Sequence, residues 1–161
     1  MSKNEKQESG RSLVEMIGVL AIMGLVTAAA FVLIQSGLEA QKRNRATDEI
    51  DILASNIRGM VAQATDNAKK FASLPTETQA GKILAKALLK SSDGKTPFDG
   101  TYSVYATDEG ATFTVELSDI GAAECQAMAK RPYSHGIADC PDIGDGSDAR
   151  PGSTVKIKFR E

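Results

Sequence analysis

The chain has no tryptophan, one histidine and two cysteines among its 161 residues. Aromatic side chains make up only 5% of it, which argues against a large aromatic-lined ligand pocket. The lone histidine, His135, has no Cys, Ser or metal-ligand partner at a telling spacing, so it reads as a solvated turn residue rather than a catalytic base. Net charge is −2 with 25% charged residues, so no basic footprint points to nucleic acid. Cys125 and Cys140 stand too far apart for a CxxC redox or zinc motif. In an exported chain they suit a disulfide and in a cytosolic one two reduced core thiols, so topology decides between them.

A local absence is more informative. Residues 16–34, MIGVLAIMGLVTAAAFVLI, contain no charge and no proline. At 1.5 Å per residue this run reaches about 28 Å as a helix, close to the roughly 30 Å hydrocarbon core of a bilayer. Immediately before it stands Glu15. A carboxylate within lipid costs roughly 2.5–3.5 kcal/mol at a helix centre, and somewhat less near the interface. Such a residue implies a function, and the function implies a partner.

The rest of the chain divides by pattern. Residues 1–10 are short, polar and end in glycine. From about Leu38 to Phe71, Ile50, Leu53, Ile57, Met60, Val61, Ala64, Ala68 and Phe71 recur at helical spacing. Lys42, Arg43, Arg45, Asp48 and Arg58 fall mostly elsewhere, which predicts an amphipathic continuation of the apolar helix. Ser36-Gly37 is a candidate bend and Pro75 a limit. A short helix is expected over 77–90 and turn chemistry over 91–100. TYSVYAT (101–107) and ATFTVELS (111–118) flank DEG and predict a hairpin. A helix at 119–131 places Cys125 against the sheet, and STVKIKFR (153–160) reads as a closing strand. Residues 132–152 read as a loop rich in Gly, Pro and Asp.

Three explanations compete for the apolar run. A cleaved secretory signal has a shorter apolar region and a small-residue site, here Ala28-Ala29-Ala30, but the run continues through Ile34. A plain uncleaved anchor accounts for the length and leaves Glu15 unexplained. The third rests on the string "G-RSLVE-MIGVLAIMGL", which resembles the class III signal of type IV pilins and pseudopilins. In the head, "TPFDGTYSVYA" followed by "ATFTVELSDIGAAECQAMA" is similar to type IVb pilins. One departure is Arg11, where the family usually has Phe or another apolar residue as the first mature position.

The resemblance implies a leader at residues 1–10, a transmembrane and assembly helix at 11–37, and a head at 38–161. It implies cleavage between Gly10 and Arg11 by a prepilin peptidase, N-methylation of Arg11, and an assembly role for Glu15, which meets a neighbour's terminal amine. Gly18, Ala21, Gly24 and Ala28 fall on one helical side and suit close helix packing in lipid. By the same resemblance, Cys125 and Cys140 bound a disulfide-closed surface region.

Asp139, Asp142, Asp145 and Asp148 lie on or beside the Gly-rich loop, as calcium ligands do, and some pseudopilins bind calcium near their carboxyl end. Twelve positions from Asp142, however, the chain reaches Ser153 and not the Glu of an EF-hand, so a solvated acidic turn is expected. The expected fold is α+β, a long N-terminal helix packed on a small antiparallel sheet, the type IV pilin fold.

The expected protein is not an enzyme and needs no cofactor. It is a structural subunit that polymerises with itself through the pilus assembly machinery, for adhesion, aggregation or motility. It passes from an inner-membrane pool to an extracellular pilus. A minor pilin or pseudopilin is the alternative in the same fold, and a membrane-tethered periplasmic enzyme or binding module the alternative of another class. Lys3, Lys6 and Arg11 precede the run while Lys42, Arg43 and Arg45 follow it, so positive charge does not orient the span. Outward placement of the head rests on the resemblance and the cysteines.

Overall fold

The computed structural model describes residues 5–62, 69–90, 92–141 and 152–160, with side chains from Leu13 onward. Helix α1 runs Glu5–Val61, 57 residues, and its helical backbone continues through Ser36 and Gly37, the candidate bend. The chain divides into two compact units, residues 1–41 and 42–161.

The first unit is helix alone. Its large apolar side chains are all open, from Leu13 at 61% exposure to Leu25 at 73% and Ile34 at 60%. One 18-residue window reaches a mean hydropathy of 2.7, and the helix is long and apolar enough to cross a membrane. Its described hydroxyls bond locally. Thr27 Oγ1 donates to the Met23 carbonyl at 2.8 Å and Ser36 Oγ to the Leu33 carbonyl at 3.0 Å. Such bonds let hydroxyls sit on a helix where no water can reach them.

The second unit has its own core. The inner stripe of α1, formed by Ala46, Ile50, Leu53, Ala54, Ile57 and Val61, is buried, as helical periodicity requires. The helix ends at Val61, well before the expected limit, and Met60 turns outward at 49% exposure. Ala64 and Ala68 lie outside the described residues. Phe71 is still buried, but from a turn: its ring lies 4.8 Å from Phe113, which stacks on Phe159 at 5.1 Å. A side chain can thus keep its place in an apolar stripe after the helix that began the stripe has stopped.

Helix α2 (Thr78–Leu88) follows, then strands β1 (Tyr102–Thr107) and β2 (Thr112–Ile120), helix α3 (Ala122–Ala129), β3 (Gly136–Asp139) and β4 (Ser153–Phe159). The sheet is antiparallel throughout, in the order β1-β2-β4-β3. The architecture is mixed α+β, a long apolar N-terminal helix and a small four-stranded sheet, consistent with the type IV pilin fold. The β1–β2 hairpin closes through a 3-10 turn at Asp108–Gly110, with Tyr102 opposite Leu117 and Thr107 opposite Thr112. Gly110 has φ +88° and lies against the Ala72 backbone, where a Cβ would come within 2.8 Å. Only glycine meets both demands.

Phe113, Val115 and Leu117 of β2 and Val155, Ile157 and Phe159 of β4 face the core, each fully buried. The β1 edge is covered. Tyr102 N–H donates to the Gly94 carbonyl at 2.9 Å, Ala106 N–H donates to the Pro75 carbonyl at 2.7 Å, and Gly81 of α2 abuts the Val104 backbone. Such cover removes the unpaired ladder that an edge strand offers to other chains. Strand β3 corrects the expectation of a continuous loop over 132–152. Its four residues pair with β4 from Gly136 opposite Phe159 to Asp139 opposite Lys156.

Candidate functional site

The residues expected to act fall into both units. In the first, Gly10 and Arg11 lie within the helical backbone of α1. Glu15 is exposed, at the head of the open apolar surface. At about 100° per residue, Gly18, Ala21, Gly24 and Ala28 occupy an arc of roughly 120°, and all four are exposed. A Cβ placed on Gly18 or Gly24 meets nothing within 4 Å. Glycine inside a helix costs about 0.5–1 kcal/mol relative to alanine, and no contact within the chain requires it at these two positions.

In the second unit, Cys125 and Cys140 form a disulfide with Cα atoms 6.0 Å apart. It ties the buried face of α3, where Ala122, Cys125 and Met128 point inward, to the end of β3. Asp139 is exposed, and its Oδ1 accepts the Cys140 N–H at 2.8 Å. Asp142, Asp145 and Asp148 lie outside the described residues. Among the described residues no group of three His, Cys, Asp or Glu side chains is placed to hold a metal ion. His135 is exposed at φ 62°, in the turn before β3, where its carbonyl accepts the Arg160 N–H.

Charged residues hold the head together in ways the sequence pattern did not single out. Arg131 donates to Thr47 Oγ1 at 3.0 Å and to Asn44 Oδ1 at 2.9 Å, pinning the end of α3 to α1. Arg58 donates to the carbonyls of Ser134 and Arg160, both at 3.3 Å, and its guanidinium lies 5.6 Å from the Phe159 ring centre. Glu49 is 5% exposed, and its Oε1 accepts from Arg45 Nε at 3.1 Å. Burial first, and then the Glu49 carboxylate beside it, push the Tyr102 hydroxyl far above its ordinary value. A signal for Glu49 was present: it sits three residues after Ala46 and four before Leu53, in phase with the buried stripe.

The open helix carries Glu15 at the head of its apolar run and a small-residue arc within it, and the head is a disulfide-tied sheet. The chain is 23% identical over 156 residues to the toxin coregulated pilin of Vibrio cholerae, covering 86% of this chain and 68% of that protein. No family model and no solved structure matches it. The likeness spans both units and points to a structural protein rather than an enzyme.

Proposed function

With a type IVb pilin as its relative in sequence and the pilin architecture in its fold, we propose that the chain is the repeating subunit of a type IV pilus. The observation that carries this is a likeness to one pilin extending over 86% of the chain, helix and head together. Support comes from the first unit, whose large apolar side chains find no partner inside the chain. They suit lipid before assembly and the helices of other copies after it.

In this reading a membrane peptidase removes residues 1–10 and leaves Arg11 with a cationic, methylated amine. The subunit waits in the inner membrane with its head outside, and the pilus assembly machinery draws it into a surface filament used for adhesion, aggregation or motility. There Glu15 meets the terminal amine of a neighbour. A lone carboxylate in an apolar bundle is costly, whereas a paired one is partly compensated, so one axial register is favoured over others. The small-residue arc at Gly18, Ala21, Gly24 and Ala28 lets the helices approach closely. The cost of two unforced helical glycines is then offset by contacts between copies.

Two measurements on a surface-sheared fraction test the proposal. Amino-terminal sequencing is expected to begin at Arg11. Glu15→Ala is expected to leave insertion and cleavage intact while filament yield collapses. Sequence beginning at Phe31 would refute the processing step, and a normal filament yield from Glu15→Ala would refute the pairing.

A further inference from the structure

We propose that the outward face of the head's sheet is a shallow binding site for a neutral carbohydrate. The register of the four strands lays Tyr105, Thr114, Lys158 and Ile137 in one row, each opposite the next across neighbouring strands. Three interstrand steps make this row about 14 Å long, enough for a short oligosaccharide. Thr114 is the floor at 4% exposure, while Tyr105 and Ile137 stand at the two ends. The depression between them measures about 390 Å³, within the range of small-molecule sites.

The chemistry of the lining selects the class of ligand. Tyr105 and Ile137 supply apolar surface of the kind that packs against the C–H face of a sugar ring, and Ile137 is 66% exposed. Beside the row, polar groups alternate in a fixed network. Tyr105 Oη donates to Glu116 Oε2 at 2.7 Å, Lys156 pairs with that carboxylate at 3.8 Å, and Lys158 pairs with Asp108. The Thr107 hydroxyl lies 2.8 Å from that of Thr112 and 3.2 Å from that of Thr114. Both lysines are therefore paired with carboxylates, and Asp139 lines the same depression; among the described residues lining it, no unpaired cation is left to attract a phosphate, a sulfate or a sialic acid. What remains is an ordered set of donors and acceptors between two apolar walls. Vicinal hydroxyls, each able to donate and accept, match such a set without net charge. Burial, followed by the bond to Glu116, raises the Tyr105 hydroxyl, so the ring stays neutral across the working pH range.

The site deepens the adhesive part of the proposed function, yet its test reads binding by the purified chain and does not depend on filaments forming. The full chain is solubilised in a detergent without a sugar headgroup and applied to an array of neutral oligosaccharides and their sialylated counterparts. Saturable binding to a neutral glycan is expected, changing little as salt rises, because no long-range charge attraction drives it. Tyr105→Ala and Ile137→Ala are each expected to weaken it by about tenfold, as loss of one packed ring or wall implies. Ile137 is exposed, so its variant keeps the fold even if the Tyr105 variant does not. Ile83→Ser, on the exposed side of α2, serves as a control and should bind normally. Absence of neutral-glycan binding, binding unchanged in both variants, capture of sialylated glycans alone, or an effect of Ile137→Ala confined to self-association would each overturn the proposal.

Discussion

Leu25 and Phe113 are both large apolar residues, yet one is 73% exposed and the other fully buried. The contrast runs through the whole molecule. Among the described residues up to 41 the large apolar side chains are open, whereas in residues 42–161 they close on a core of sheet, α1 stripe and aromatic stack. One helix supplies both kinds of surface. From Met16 to Ile34 it is apolar on every side, and beyond about Gln41 a single stripe is buried beneath polar surroundings. The second unit is therefore completed by its own fold, while the described part of the first leaves its apolar surface open.

The largest expected effect breaks this contrast directly. Phe113 lies between Phe71 and Phe159, with ring centroids 4.8 and 5.1 Å away. Phe113→Ala removes the middle ring and should cost the head about 3–5 kcal/mol. Leu25→Ala should leave head stability unchanged within about 0.5 kcal/mol, because it opens no cavity. Urea unfolding of the detergent-solubilised chain, followed through near-ultraviolet signals of the head, compares the two. Equal losses would mean that the units share one core.

Which parts of this were legible in sequence follows from the same contrast. The apolar helix announced itself by nineteen uncharged residues, the hairpin by alternation on both sides of DEG, and β4 by Val155, Ile157 and Phe159. Strand β3 did not, because GIAD carries a single large apolar residue, and that one faces outward. A four-residue edge strand is defined by what its partner supplies. The end of α1 was misjudged because Phe71 continues the helical phase from a turn. Glu15 was visible because no charge follows it before Glu39. Glu49 was missed because charged residues surround it, although its phase matched the core. The outward row of the sheet was hidden for another reason: its members come from four strands, and only the register brings them together.

The second effect in size sharpens the comparison within the head. The Cys125–Cys140 bridge closes a loop over fifteen positions of sequence. Removing it, by Cys125→Ala with Cys140→Ala or by reduction, should cost about 3 kcal/mol on the chain-entropy estimate. The loss is expected in head unfolding alone, with the helicity of the first unit unaffected. Mass spectrometry of unreduced peptides from surface-sheared protein should first show the bridge intact, and two free thiols there would contradict it.

A third, smaller effect comes from the tyrosines, all of which lie in the head. Burial pushes the Tyr133 hydroxyl up to about 12, and raises Tyr102 and Tyr105 further. Each folded value lies above the unfolded value of 10.0, so the folded state resists losing these protons. Their contribution is complete below pH 10 and is lost as pH rises towards and beyond 12. Tyrosinate absorbance should therefore lag behind that of free tyrosine and rise together with unfolding. A full tyrosinate signal near pH 10 with the fold intact would show the head to be looser than its packing indicates.

The smallest effect is expected at Asp108, on the exposed turn between β1 and β2. Hydrogen bonds from Lys158 first, and from the Thr112 hydroxyl second, hold its carboxyl below the ordinary value of 3.8. A folded carboxyl that resists protonation stabilises the fold above the unfolded value, and that contribution fades as pH falls through the folded one. Asp108→Asn removes the titration. It should flatten the acid limb of head stability slightly while leaving neutral-pH stability nearly unchanged, because exposed ion pairs contribute little. Urea midpoints at neutral pH and at about pH 3, below the usual carboxylate range, measure both changes. The matching substitution in the first unit, Glu15→Gln, should move neither midpoint, since no core there depends on that charge. If Glu15→Gln shifts the head's acid limb as far as Asp108→Asn does, the two units are coupled through α1, and the independence drawn from their opposite burial fails.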